Sequence, residues 1–227
     1  LESVQLPNNL TDVDDWAFMG CTSLKSIDFP SKTNLVRSQA FKDCSSLTSV
    51  TFSPTVGFQS EVFMNCTSLT SIYLPKEVSV GDAMFKGCTK LSSVTFEDGF
   101  KSIITNQMFQ DCVSLSNITI PPKSLSIGTQ SFMGCSGLKQ VTIVDGIYRI
   151  YSKAFKDCTS LTSVSIPETI ISIGEDAFLG IDFQMEFLFF ASHRAREKGP
   201  SSFHFLPRLQ PRIFCLLSSA VSQIHLL

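Results

Sequence analysis

The chain has 227 residues with 18 Lys+Arg against 20 Asp+Glu, a formal charge of -2 and 43% hydrophobic residues. That length holds one or two domains with a sizeable core. The absence of a basic excess argues against nucleic-acid binding and a polybasic membrane contact. No apolar run reaches the ~18 residues of a spanning helix, and no charged-then-apolar leader stands at Leu1. A signal peptide is therefore expected to be absent from this chain or already removed.

An internal repeat overrides local readings. Seven of the eight cysteines, Cys21, Cys44, Cys66, Cys88, Cys112, Cys135 and Cys158, recur at intervals of 22 to 24 residues. In each unit an apolar residue comes first, eight positions before the cysteine: Val13, Val36, Phe58, Val80, Ile104, Ile127 and Ile150. Gly81, Gly128 and Gly174 follow that column and mark a turn. The next segment, such as Glu175–Leu179, reads as one helical turn aimed at a buried phenylalanine. Three positions before each cysteine stands Phe18, Phe41, Phe63, Phe85, Phe109, Phe132 or Phe155. Directly before it comes a turn former: Gly20, Asp43, Asn65, Gly87, Asp111, Gly134 or Asp157. Three positions after it stands Leu24, Leu47, Leu69, Leu91, Leu115, Leu138 or Leu161.

The unit closes on a β-branched residue and a large apolar one, as in Val50 with Phe52 and Val141 with Ile143. Their alternation predicts a short strand. Pro30, Pro75, Pro121 and Pro167 end such strands, because proline cannot donate to a ladder. One unit buries too little apolar surface to offset its ordering entropy, so stability must accumulate by stacking. The prediction is a solenoid over residues 1–180, a partial coil followed by seven full ones.

The pattern F-x-x-C-x-x-L-x-x-V/I-x-Φ-P (Φ a large apolar residue) resembles BspA-like leucine-rich repeats of bacterial and protozoan surface proteins. The resemblance implies a right-handed leucine-rich-repeat solenoid of ~23-residue coils with a parallel sheet on one face and short strands or helical turns on the other. It also implies a cell-surface or extracellular, non-enzymatic protein that binds host or matrix proteins, held at a membrane only through an anchor outside this sequence. An intracellular scaffold, or a fragment with no independent function, is the alternative.

Outward strand positions define the expected binding face. Lys25, Asp28, Thr51, Tyr73, Thr95, Thr119, Thr142 and Ser165 are the candidate contact residues, with Tyr73 the one aromatic anchor. The other outward row is Ser26, Ser49, Ser71, Ser93, Asn117, Gln140 and Ser163. Serine and threonine in strands also serve β-propensity and solubility alone.

The cysteine column is expected to be buried thiols, since stacked identical residues point the same way and lack the facing Cβ atoms of a bridge. No C-x-x-C pair suggests zinc, and no cofactor or metal site is expected. Asp12, Asp14 and Asp15 lack calcium-loop spacing. The three N-x-S/T triplets at Asn9, Asn65 and Asn117 would accept glycans in a secretory compartment. All three histidines, His193, His204 and His225, lie beyond the repeats, so the solenoid has no histidine base for a nucleophile. Phosphate-loop, dinucleotide and H-E-x-x-H signatures are missing as well. The expectation is no enzymatic activity.

Residue 181 is Ile where a cysteine is due, and the columns fail from there. Threonine occurs 17 times in residues 1–181 and never in the 46 residues from Asp182 onward. Five Lys+Arg against three Asp+Glu reverse the charge sign. Three readings fit residues 181–227: a solenoid cap, a hydrophobic anchor around Ile213–Leu217, or an out-of-frame translation. The last accounts for the lost pattern and the changed composition together. The wide spacing of His193, His204, Cys215 and His225 matches no zinc module.

Overall fold

The computed structural model describes residues 1–181. The expectations for a cap, an anchor or metal ligands in the tail fall on residues outside that range. Within it, short strands recur along the stack, two in most coils, while Ser79 and Ile104 make only isolated bridges: β1 (Asp12–Val13), β2 (Ser26–Asp28), β3 (Leu35–Val36), β4 (Ser49–Thr51), β5 (Gly57–Phe58), β6 (Ser71–Leu74) and β7 (Ser93–Phe96). They continue as β8 (Asn117–Ile120), β9 (Ser126–Ile127), β10 (Gln140–Ile143), β11 (Arg149–Ile150), β12 (Ser163–Ser165) and β13 (Ser172–Ile173). All pairing is parallel and in register from coil to coil, as in Val36 opposite Val13 and Val141 opposite Ile118. The described residues thus form a parallel β-solenoid, and both apolar columns of the repeat face one continuous core, mostly from strands.

The expected helical turn before each phenylalanine is absent. Among the described residues the one helical element is a 3-10 turn at Pro122–Ser124. Each coil instead holds two left-handed residues in this segment. One directly precedes the cysteine, such as Asp43 (φ 62°) or Gly87 (φ 72°), where glycine, Asp and Asn tolerate the conformation. The other lies five positions before it, at Trp16, Gln39, Glu61, Ala83, Gln107, Gln130 and Lys153, and at Asp176 before Ile181, with φ between 54° and 61°. Side chains of this kind are disfavoured there by about 1–2 kcal/mol.

That backbone turns alternate peptide planes along the stack. In the fourth coil the amides of Ala83, Phe85 and Gly87 donate to the carbonyls of Asn106, Met108 and Gln110 at 2.8–2.9 Å. The peptide unit that donates by one edge accepts by the other. Trp16 N–H reaches Ser38, Gln39 reaches Ser60, Glu61 reaches Asp82, and the chain of bonds runs on to Glu175. Two companion columns run through the phenylalanine amides and through the residues before the cysteines, ending at Ala177 and Leu179. The intervening peptides close local turns, as in Met19 N–H to Trp16 at 3.0 Å.

Between these columns the phenylalanine rings form a single stack. From Phe18 to Phe178, successive centroids lie 5.0 to 5.9 Å apart with near-parallel planes. From Phe18 to Phe132 each phenylalanine carbonyl accepts its own cysteine's amide and also the thiol of the next coil. Cys112 Sγ, for example, donates to Phe85 at 3.3 Å and Cys135 Sγ to Phe109 at 3.0 Å. A cysteine supplies there a small apolar volume with one weak donor. Cys44 through Cys158 are buried, while Cys21 at the first full coil is partly exposed.

The glycines of the Gly81 column serve close approach as well as turning. A Cβ on Gly128 would stand 2.6 Å from the Thr105 carbonyl carbon and 2.8 Å from the Asn106 amide. Where the residue before the cysteine is Asp43, Asn65, Asp111 or Asp157, its side chain leans onto the next coil. Asn65 donates to Asp43 at 2.8 Å, and a Cβ on Gly87 would run into the Asn65 side chain.

Burial raises the thiol pKa of Cys44 to about 11 and of Cys88 and Cys158 to about 12, because desolvation penalises the thiolate. An unfolded thiol ionises near ~8.5, so the unfolded chain loses protons first as pH rises. The stabilisation is complete below that value and falls as pH climbs toward the folded pKa values. Melting temperature measured from pH 8 to pH 10.5 should fall, and Cys112→Ala should make the decline shallower. An unchanged slope in that variant would contradict the assignment.

Candidate functional site

The structure turns both predicted surface rows to solvent. Asp28, Thr51, Tyr73, Thr95, Thr119, Thr142 and Ser165 are all exposed, as is the parallel row from Ser26 to Ser163. Buried Ile27, Ile72, Ile118, Val141 and Val164 and half-buried Val50 and Val94 alternate with them, so strand periodicity alone orients the face. Asp28 lies opposite Thr51, Tyr73 opposite Thr95, and Thr119 opposite Thr142 and then Ser165. The Thr51 hydroxyl donates to the Asp28 carboxylate. Lys25 stands at the N-terminal edge, 3.8 Å from Glu2 across an exposed ion pair.

The candidate residues do not lie on one unbroken sheet. Strand pairing divides them into β2–β4, β6–β7 and β8–β10–β12. Where β4 and β6 part, a depression of about 360 Å³ opens in the face. Its apolar walls are Val50, Phe52, Pro54 and Pro75. Its polar groups come from Thr51, Tyr73 and Glu97. Tyr73 is 53% exposed, the largest aromatic surface on the face.

Glu97 was not singled out by the sequence reading, although a signal existed. It occupies the position that Pro30, Pro75, Pro121 and Pro167 hold in other coils. One carboxylate oxygen accepts the Lys76 amide at 2.9 Å, which ties the residue to the neighbouring coil. Glu97 and, more weakly, Asp98 act on the Tyr73 hydroxyl. Among the described residues no Lys, Arg or His pairs with the Glu97 carboxylate within 4 Å. Lys101, by contrast, is paired with Glu77 and holds that carboxyl below its ordinary pKa.

Other sequence features fall into place around the core. Arg37 faces Asp14 at 3.1 Å and Asp12 at 3.9 Å, so part of the acidic trio is an ion-pair partner. Asn65 is half-buried and bonded to Asp43, whereas Asn9 and Asn117 are exposed. Among the described residues no group of three His, Cys, Asp or Glu side chains is arranged to hold a metal ion. No helix among them is long and apolar enough to cross a membrane.

With this geometry in place, the comparisons assign the family. The BspA type leucine rich repeat region matches residues 1–106 and 102–198, in six copies, and the chain belongs to that family. A leucine-rich-repeat protein of Bacteroides ovatus is similar in structure, with a TM-score of 0.67 and 26% identity over 79% of this chain and 52% of its own. A leucine rich cell surface protein of Faecalibacterium prausnitzii shares 30% identity at a TM-score of 0.58, covering 78% of this chain and 58% of its own. A T. pallidum leucine-rich-repeat protein, at 24% identity and a TM-score of 0.56, shares the fold over 79% of this chain and 76% of its own. The chain thus spans little more than half the length of the first two. No curated protein matches the sequence. The fold is a protein-interaction scaffold of the BspA-like leucine-rich-repeat type.

Partial desolvation and the Glu97 carboxylate raise the Tyr73 pKa from the ordinary tyrosine value. Ultraviolet titration should therefore place Tyr73 above the usual ~10, and Glu97→Gln should lower it. An unmoved phenol titration would separate the two groups.

Proposed function

We propose that the sheet face binds protein partners, and that the chain serves as a non-enzymatic adhesin-like module contacting host or matrix proteins at a cell surface. The observation that carries this reading is the pair of outward rows, repeated in register within each run of paired strands and flanking an aromatic-lined depression. Many modest contacts across a rigid ladder suit an extended partner better than one small substrate. The cell-surface description of the similar Faecalibacterium prausnitzii protein supports the location. We take residues 1–180 as the binding unit and residues 181–227 as a separate segment.

Immobilised laminin, fibrinogen and collagen test the reading directly. The full chain should be retained on at least one of them in surface plasmon resonance. Thr119→Lys combined with Thr142→Lys, on exposed positions, should cut that retention tenfold or more with melting unchanged. Retention untouched by the double variant would remove the face as the contact surface. No retention on any of the three would count against matrix partners.

A further inference from the structure

The depression between β4 and β6 differs from the rest of the face in chemistry as well as shape. The surrounding rows are mostly neutral hydroxyls. Here an exposed aromatic ring stands beside apolar walls, with an acidic group at the rim. The Glu97 carboxylate accepts one backbone amide and has further lone pairs to offer. Among the described residues no cation neutralises it within 4 Å, and Asp98 adds a second negative charge next to it in sequence. The nearby Lys76 ammonium acts on Glu77.

A ligand complementary to this arrangement has an apolar stem and a cationic head. Arginine has both, since its methylenes bury against apolar surface while the guanidinium stays at the polar end. The planar head stacks on an aromatic face and matches a carboxylate with paired donors, which an ammonium does less well. The volume of about 360 Å³ lies at the small end of ligand-sized pockets, roughly 300–1,000 Å³. Arginine is also among the residues that most often anchor protein interfaces.

We infer that the depression lined by Tyr73 and Glu97 is a receptor pocket for an arginine side chain presented by the protein partner. The inference rests on the reading that the sheet face is the binding surface and names the chemistry it selects. The ring of Tyr73 supplies the stacking surface, Val50, Phe52 and Pro75 receive the methylenes, and the Glu97 carboxylate accepts from the guanidinium.

Nuclear magnetic resonance of the nitrogen-15-labelled full chain tests this with two probes. N-acetyl-arginine amide places the side chain in a peptide setting, and N-acetyl-citrulline amide has the same shape without the charge. The arginine probe should give saturable shifts in the amides of Thr51, Phe52, Tyr73 and Glu97, and the citrulline probe should give none. Glu97→Gln keeps an acceptor for the Lys76 amide, so the spectrum elsewhere should be preserved while arginine affinity falls at least tenfold. Tyr73→Leu should weaken binding severalfold. Equal shifts from both probes, no saturable shift, or undiminished affinity in Glu97→Gln would overturn the pocket. Thr119→Lys with Thr142→Lys should leave the arginine shifts intact. Loss of matrix retention in that pair with the arginine shifts missing in the wild type would therefore reject the pocket while sparing the face.

Discussion

The structure depends on three hydrogen-bonded columns of peptide units that run through the turns beside the phenylalanine stack. They continue without a gap from the first full coil to Leu179, and every bond in them points along the stack. Each peptide in a column is polarised by the one before it, so bonds in such chains reinforce one another. The sheet face has no comparable continuity, since its pairing breaks after β4 and again after β7. The turns, not the sheet, are therefore the spine of the solenoid.

The rest of the repeat serves that spine. Left-handed residues at two positions per coil set the alternation of peptide planes, at a local cost that the ladder offsets. The phenylalanine rings fill the interior behind it, and the cysteine thiols satisfy a second lone pair on the phenylalanine carbonyls. A bulkier residue in the cysteine column would crowd the neighbouring coil, and a glycine would leave a void. Because the spine carries the stacking, β4 and β6 are free to separate locally. The depression with Tyr73 and Glu97 occupies that separation. Structural continuity at one side of the coil thus permits a local break in pairing at the other.

The fold was legible in the sequence wherever a column of like residues recurs. Phe85, Cys88, Leu91 and Val94 each announce their role by repetition, and outward Thr95 follows from strand alternation. The turn backbone was not legible in the same way. The left-handed column of Gln39, Glu61, Ala83 and Gln107 contains no glycine, and its conformation is dictated by neighbouring coils that no local preference encodes. A helical turn was the reasonable local reading, and tertiary hydrogen bonding displaced it. Gly128 was readable as a turn, but its close approach to Thr105 belongs to the stack. The break between β4 and β6 leaves no mark in the strand sequences. Glu97 leaves one, as the residue that replaces proline at the end of its strand.

Hydrogen exchange at single amides measures the spine most directly. The account predicts that the amides of Phe63, Phe85, Phe109 and Phe132 exchange slowest in the chain, near the limit set by global unfolding. The amides of Gln39, Glu61, Gln107 and Gln130 should share that protection at their half-buried turn positions, while Ser71 and Ile72 beside the sheet break exchange faster. Turn amides that exchange as fast as those of the surface loops, with protection confined to the strands, would contradict it.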